Sequence, residues 1–194
     1  MSPAGPVVLR TERLVLDQPT ADDVDDIARY CTDPVFEHTV TTPWPYERRH
    51  AVSFVEEFVP SGWAGRTERT WAIRRHDRPQ LLGVVGLRTA RTSVGYWLGS
   101  EHRGGGIMAE AVRRVVGFAF APDGLDADRV SWEAVAGNVA SARVARAAGF
   151  AFDAADRRPV QLRDGRSFPA WHAVARRGAS EPVPSGWPVE LDGR

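Results

Sequence analysis

Lysine does not occur in this chain: all 25 basic residues are arginine, and 25 acidic residues balance them to a formal net charge of zero. A neutral balance gives no electrostatic footprint for a nucleic-acid surface, and the arginine bias reads as genomic composition rather than chemistry. Without lysine there is no P-loop, which must close on Gly-Lys-Ser/Thr. The one cysteine, Cys31, excludes an internal disulfide and a multi-cysteine metal site, and it fits a reducing cytoplasm. No apolar run approaches the ~20 residues of a membrane span, and Met1 to Pro6 lacks the basic and apolar regions of a signal peptide. The five histidines, at 38, 50, 76, 102 and 172, have no metal-ligand spacing. Length and composition therefore predict a soluble, cytoplasmic protein with one domain and a substantial core.

What is present is a strand, a glycine turn and a helix in direct succession, from Tyr96-Trp97-Leu98-Gly99 through His102-Arg103-Gly104-Gly105-Gly106 to Ile107-Met108-Ala109-Glu110-Ala111. Thr92 to Leu98 carries strand-forming residues, and Val112, Val115, Val116 and Phe120 recur at helical spacing. Three glycines let the backbone approach another group closely, and the first N–H groups of the helix lack intrahelical acceptors. Such N–H groups, at the positive end of the helix dipole, make an anion site suited to a phosphate or pyrophosphate. Arg103 and Arg113 add charge nearby, and His102 reads as a solvent-facing turn residue. Three readings compete: a ligand-free turn, a dinucleotide site on Gly104-x-Gly106-x-x-Ala109, and a coenzyme A pyrophosphate site.

Elsewhere the pattern predicts one bent strand over Val7 to Leu16, then a helix capped by Thr20 and running to about Cys31. A turn-rich loop holds Pro43-Trp44-Pro45-Tyr46, and a second helix covers Glu47 to Phe58. Pro60 to Arg69 reads as a loop holding Trp63. Thr70–Arg75, Leu81–Arg88 and Thr92–Leu98 form an antiparallel meander. After the glycine loop and its helix come a strand over Arg129–Ala134 and a helix over Asn138–Ala148 that Gly149 ends. Strands at Phe150–Phe152 and Pro169–Arg176 follow, with a turn at Arg163–Arg166 between them. One domain spans residues 1–177, and 178–194, rich in proline, reads as an extended or disordered tail. A Rossmann domain would need a βαβαβ run from the glycine loop, with Glu133 pressed into the ribose-binding role, and it has no place for the meander.

Gly95-Tyr96-Trp97-Leu98 followed by Arg103-Gly104-Gly105-Gly106-Ile107-Met108-x-Glu110-Ala111 resembles the acetyl-CoA signature of the GNAT superfamily of N-acetyltransferases. Gly137-Asn138-x-x-Ser141-x-Arg143-Val144-Ala145-x-x-Ala148-Gly149-Phe150 resembles that superfamily's second cofactor motif. Pro43-Trp44-Pro45-Tyr46 and Leu81 to Leu87 are similar to the RimJ/RimL-type branch, which acetylates ribosomal-protein α-amino termini and contains enzymes for small amines. The resemblance covers Leu9 to Arg176. It implies an α/β (α+β) fold with a mixed, mostly antiparallel central sheet of about seven strands, about four helices and splayed central strands. It also implies that acetyl-CoA lies in the splay, with its pantetheine arm against the backbone of Trp97 and Leu98. The pyrophosphate would sit on the N–H groups of Arg103, Gly104, Gly105, Gly106, Ile107 and Met108, with Asn138 at the pantetheine and Arg143 or Arg146 at a phosphate.

Aminolysis of a thioester needs a neutral amine, an oxyanion donor and a proton for the departing thiolate. An α-amino group, with a pKa near ~8, needs less base assistance than a lysine-like amine near ~10. The resemblance makes the Leu98 N–H the oxyanion donor. Where many GNAT enzymes place a tyrosine, this chain has Ala145, so Ser141 is the available acid, and Glu133 is the candidate base. Glu37, His38, Trp44 and Tyr46 are candidates for the acceptor wall. The expected activity is acetyl transfer to a primary amine, foremost a protein or peptide N-terminus. The alternatives are an aminoglycoside- or polyamine-like small amine, and a non-catalytic acyl-CoA-binding regulator. Relatives occur as monomers and homodimers, and neither early helix shows a long exposed apolar stripe.

Overall fold

Strand residues with apolar side chains on both parities call for a sheet covered on both faces, and the chain forms one. In this computed structural model residues 5–39, 41–162, 165–179 and 186–192 are described. The chain runs through β1 (Leu9–Arg10), β2 (Leu14–Asp17), α1 (Val24–Cys31), α2 (Arg48–Ser53), α3 (Val59–Gly65), β3 (Glu68–Arg75), β4 (Arg78–Arg88) and β5 (Ser93–Leu98). It continues through α4 (Ile107–Phe120), β6 (Arg129–Val135), α5 (Val139–Ala147), β7 (Ala151–Phe152), β8 (Val160–Gln161), β9 (Ser167–Phe168) and β10 (Ala170–Arg176). The main sheet has eight strands in the order β1-β2-β3-β4-β5-β6-β10-β7, one more than expected, because the bent first strand breaks at Thr11–Arg13 into two paired pieces. A small β8–β9 hairpin, absent from the sequence reading, lies apart. Arg163 and Asp164 of the predicted turn lie outside the described residues.

One face of the sheet packs Trp71, Val85, Leu87, Val94, Val130 and Trp132 against α4 and α5. The other packs Ala72, Leu81 and Val84 against Val24, Ile27, Tyr30 and Cys31 of α1 and Ala51 of α2. The start of α1 is tied to β3 by Arg74, whose guanidinium donates to Asp23 at 2.6 and 2.7 Å and to Asp17 at 2.8 Å. Asp23 also accepts from the Thr20 N–H at 2.8 Å, so the predicted cap residue is present as part of a capping box.

Helix continues where Pro60 to Arg69 was expected to be loop. A π-helical stretch over Phe54–Phe58 lets the Val59 N–H reach back to the Phe54 carbonyl, so Pro60, which has no N–H to place, enters without breaking the rod. Trp63 is carried into the core against Trp71.

The feature that positions the site is a parting of strands. Among the described residues β5 and β6 are the one parallel pair in the main sheet, and they pair at Ser93↔Ser131 and Val94↔Trp132 only. Beyond that point β5 stays with β4 as far as Leu98, while β6 stays with β10 as far as Val135. The expected splay is therefore present, between residues 95–98 and residues 133–135.

Residues 186–192 depart from the extended tail expected for 178–194, of which 180–185 and 193–194 lie outside the described residues. Trp187 and Leu191 are buried in the α4–α5 layer, with the Trp187 ring 5.9 Å from Trp132 and 5.2 Å from Phe152. The large apolar surface of an indole outweighs the extended bias of the surrounding prolines.

Candidate active site

Gly104 and Gly106 adopt φ values of +85° and +73°, a region that favours glycine, and they turn the chain into the first turn of α4. The side chains of Ile107 and Met108 are buried beneath the loop, which anchors it. The N–H groups of Gly104 through Ala109 donate to no backbone carbonyl among the described residues; the first to do so is Glu110, to Gly106 at 3.1 Å. A row of free N–H groups thus heads a fourteen-residue helix. The Arg103 N–H is not part of it, because it donates to Ser100 at 3.3 Å. The Arg103 side chain folds away as well, onto the Leu98 carbonyl at 3.0 and 3.1 Å and onto Asp33 at 2.8 Å. His102, expected to face solvent, instead meets the Tyr30 hydroxyl at 2.7 Å.

The loop is braced from β1–β2. Glu110, one turn into α4, accepts from Thr11 Oγ1 at 2.5 Å and from Arg13 Nε at 2.6 Å, and Arg13 Nη1 donates to the Gly105 carbonyl at 3.3 Å.

The Gly99 N–H donates to Leu82 of β4 at 2.9 Å. Because donors alternate in direction along a strand, those of Leu98 and Tyr96 aim away from β4 and into the gap. On the α5 side of that gap, three residues interlock. Trp132 Nε1 donates to Ser141 Oγ at 3.2 Å, Ser141 Oγ donates to the Tyr96 hydroxyl at 3.3 Å, and Tyr96 donates to the Ser141 carbonyl at 2.8 Å. Desolvation pushes the Tyr96 phenol well above its ordinary value, and its contacts with Ser141 and Trp132 offset this only in part. It therefore keeps its proton at neutral pH. Asn138 caps α5, its Oδ1 accepting from the Ser141 N–H at 3.1 Å.

Glu133 follows Trp132 in β6 and so points to the opposite face, with one third of its side chain exposed. There it lies 4.0 Å from His172 Nδ1; the same nitrogen is 3.6 Å from Asp156, and His172 Nε2 donates to the Arg158 carbonyl at 2.7 Å. The gap thus has a hydroxyl pair on one face and a carboxylate on the other.

Other expected site residues are employed elsewhere. Arg143 Nε donates to the Leu191 carbonyl at 3.2 Å and Arg146 pairs with Asp192 at 2.7 Å, so both hold the chain end rather than an open phosphate site. Arg113 donates to Ala147 at 2.7 Å, which takes its charge to the end of α5. Tyr46 is buried in the α1–α2 layer beside His50 and is no pocket wall: its loop folds inward because the ring belongs to the core. Glu37 and His38 are half-exposed neighbours 3.6 Å apart, and Trp44 is exposed. Trp97 packs edge-on against Phe36 and tilted against Tyr30, leaving its backbone at the gap.

Tyr96 is the polar partner that sequence reasoning missed. Its parity with Val94 and Leu98, both core-facing, was the available signal, since it puts all three on one face.

The chain is 29% identical over 153 residues to the uncharacterized N-acetyltransferase YoaA of Bacillus subtilis, covering 74% of this chain and 82% of that protein. Its fold is similar to that of RimL, a ribosomal L7/L12 alpha-N-protein acetyltransferase solved with coenzyme A, with a TM-score of 0.71 at 17% identity over 90% of this chain and 100% of that one. It is likewise similar to a ribosomal-protein-S5-alanine acetyltransferase of Vibrio fischeri, with a TM-score of 0.71 at 17% identity over 91% of this chain and 100% of that one. The acetyltransferase (GNAT) domain model matches residues 13–151, and the chain belongs to the GNAT family of acetyltransferases.

Proposed function

We propose that this acetyltransferase uses acetyl-CoA to acetylate a primary amine, and that the amine is the α-amino terminus of a protein or peptide. The observation that carries the reading is the row of free N–H groups from Gly104 to Ala109, set beside the open edge of β5 where it leaves β6. The first suits a pyrophosphate, and the second suits the amides of a pantetheine arm added like a strand. RimL, of the same fold, is solved with coenzyme A.

In the reaction the amine nitrogen attacks the thioester carbonyl. The C–N bond forms, the C–S bond breaks, one proton leaves nitrogen and one reaches sulfur. The Leu98 N–H, aimed into the gap, stabilises the oxyanion. Ser141, with the neutral phenol of Tyr96 behind it, supplies the proton to sulfur from the α5 face. Glu133 takes the proton of the amine from the opposite face, by which the acceptor enters past Glu37, His38 and Trp44. Both solved neighbours named above are described as ribosomal-protein acetyltransferases, and an α-amine near ~8 asks little of the base.

Isothermal titration with acetyl-CoA, with NAD⁺ as the control, is the test, followed by thiol release on peptide and small-amine acceptors. Micromolar binding of acetyl-CoA with turnover of peptides is expected. Binding without turnover on any amine would make the chain a regulator, and a preference for NAD⁺ would overturn the reading altogether.

A further inference from the structure

Gly86 of β4 and Gly95 of β5 are direct cross-strand partners, and they share the sheet face of Glu133. Both are covered by charged side chains leaning over from the next row. A Cβ at Gly86 would lie 2.5 Å from Glu68 Oε1, and one at Gly95 would lie 3.4 Å from Arg88 Nη2. Glu68 and Arg88 are themselves partners across β3 and β4. Arg88 Nε stands 3.5 Å from Glu68 Oε2, and neither side chain makes a shorter polar contact among the described residues. Burial raises the Glu68 carboxyl above its ordinary value, with Arg88 opposing the shift.

The row of residues leading to Glu133 is therefore a trough floored by backbone. A carboxylate lies over one glycine and a guanidinium over the other. Gly95 is the first residue of β5 past its last pair with β6, so the guanidinium stands at the mouth of the gap. On the outer side the pair lines a cavity of about 250 Å³ together with Phe58, Ser61, Gly62 and Arg91. Glycine inside a strand weakens it and marks a close approach. Two such residues side by side make room here for a loosely joined ion pair, whose remaining donors and acceptors are available to a ligand.

We propose that Arg88, held by Glu68, recognises the acceptor by donating to the carbonyl or carboxylate beside its amine, which leaves the amine on the gap side, toward Glu133. Neighbouring strands lie ~4.8 Å apart, so a carbonyl held by the guanidinium over Gly95 leaves an amine one carbon away at the gap between β5 and β6. An alkylamine has nothing for Arg88 to bind and leaves a partly buried cation unpaired. The site selects α-amino acyl compounds over simple amines. This rests on the acetyl-CoA reading above and specifies its acceptor.

The test compares wild type, Arg88→Met and the double variant Glu68→Gln/Arg88→Met, the last of which leaves no lone buried charge. Each is first titrated with acetyl-CoA, then assayed for thiol release with an alanyl tripeptide amide, alanine amide and propylamine. Per unprotonated amine, wild type is expected to favour the two alanyl acceptors over propylamine by about 100-fold in kcat/KM. Both variants should narrow that ratio at least tenfold through the acceptor KM, while acetyl-CoA affinity stays within twofold. An unchanged ratio in variants that bind acetyl-CoA, or a wild type that uses propylamine as well as the peptide, overturns the assignment and leaves the acetyltransferase reading standing. Failure of wild type to bind acetyl-CoA or to turn over any acceptor removes that reading, and this one with it.

Discussion

Ser141 has its hydroxyl oxygen between an indole N–H at 3.2 Å and a phenol at 3.3 Å, at the point where two strands part. The indole N–H fixes the oxygen, and rotation about the C–O bond swings the hydroxyl proton from the phenol toward the departing sulfur. Ser141→Ala is expected to bind acetyl-CoA normally and to lose about 100-fold in kcat, the lower end of the range for a general acid. Steady-state thiol release measures this, and an unaltered kcat would assign the proton to solvent. Tyr96→Phe removes the donor to the Ser141 carbonyl. That carbonyl keeps its partner within α5, but the Ser141 hydroxyl loses its acceptor, which should cost about 1–3 kcal/mol of stability, read from urea melts.

At the scale of elements, the glycine loop depends on a contact between pieces of chain far apart in sequence. Glu110 of α4 is gripped by Thr11 and Arg13 of the first hairpin. Burial alone would raise its carboxyl, but the hydrogen bonds from Thr11 and Arg13 outweigh it and hold the group below its ordinary value. A carboxylate held low in the fold adds stability above the unfolded value of ~4.3, and that stability disappears as pH falls below it. Glu110→Gln should therefore be less stable than wild type at pH 7, and its urea midpoint should fall less steeply from about pH 5 to pH 3. The chain end gives a second case. Trp187→Ala empties a site between Trp132 and Phe152 and should cost about 3 kcal/mol. Because Asn138, the residue expected at the pantetheine, caps α5, a measurable loss of acetyl-CoA affinity is expected alongside the lowered melting temperature.

At the scale of the molecule, the sheet has a layer of helix on each face and an opening through it. A ligand that enters the opening and binds only the folded state stabilises by mass action. At a hundred times its Kd, acetyl-CoA should add about 2.7 kcal/mol, which for a chain of this size is a rise of about 5–10 °C in Tm. Differential scanning fluorimetry reads this directly, with NAD⁺ expected to give no shift.

Local chemistry was legible from the residues themselves. The glycines at 104 to 106, the helical spacing after them, the Thr20 cap and the alternation of Thr92–Leu98 each act within a few residues, so their structural meaning could be read in place. Those features, with the two cofactor motifs, determined the element order and pointed to the family. Helix through Pro60 was not legible, because it depended on a π-helical stretch accommodating a residue that ordinarily ends helices. Nor were the roles of Arg103, Arg143 and Arg146: an arginine near a phosphate loop looks the same in sequence whether it faces the ligand, Asp33 or the chain end. The parting of β5 and β6, the meeting of Tyr96 with Ser141, and the row that carries Glu68, Arg88 and Glu133 were decided by the tertiary structure alone. Strand register joins residues tens of positions apart, and which edge a strand keeps depends on every layer packed against it.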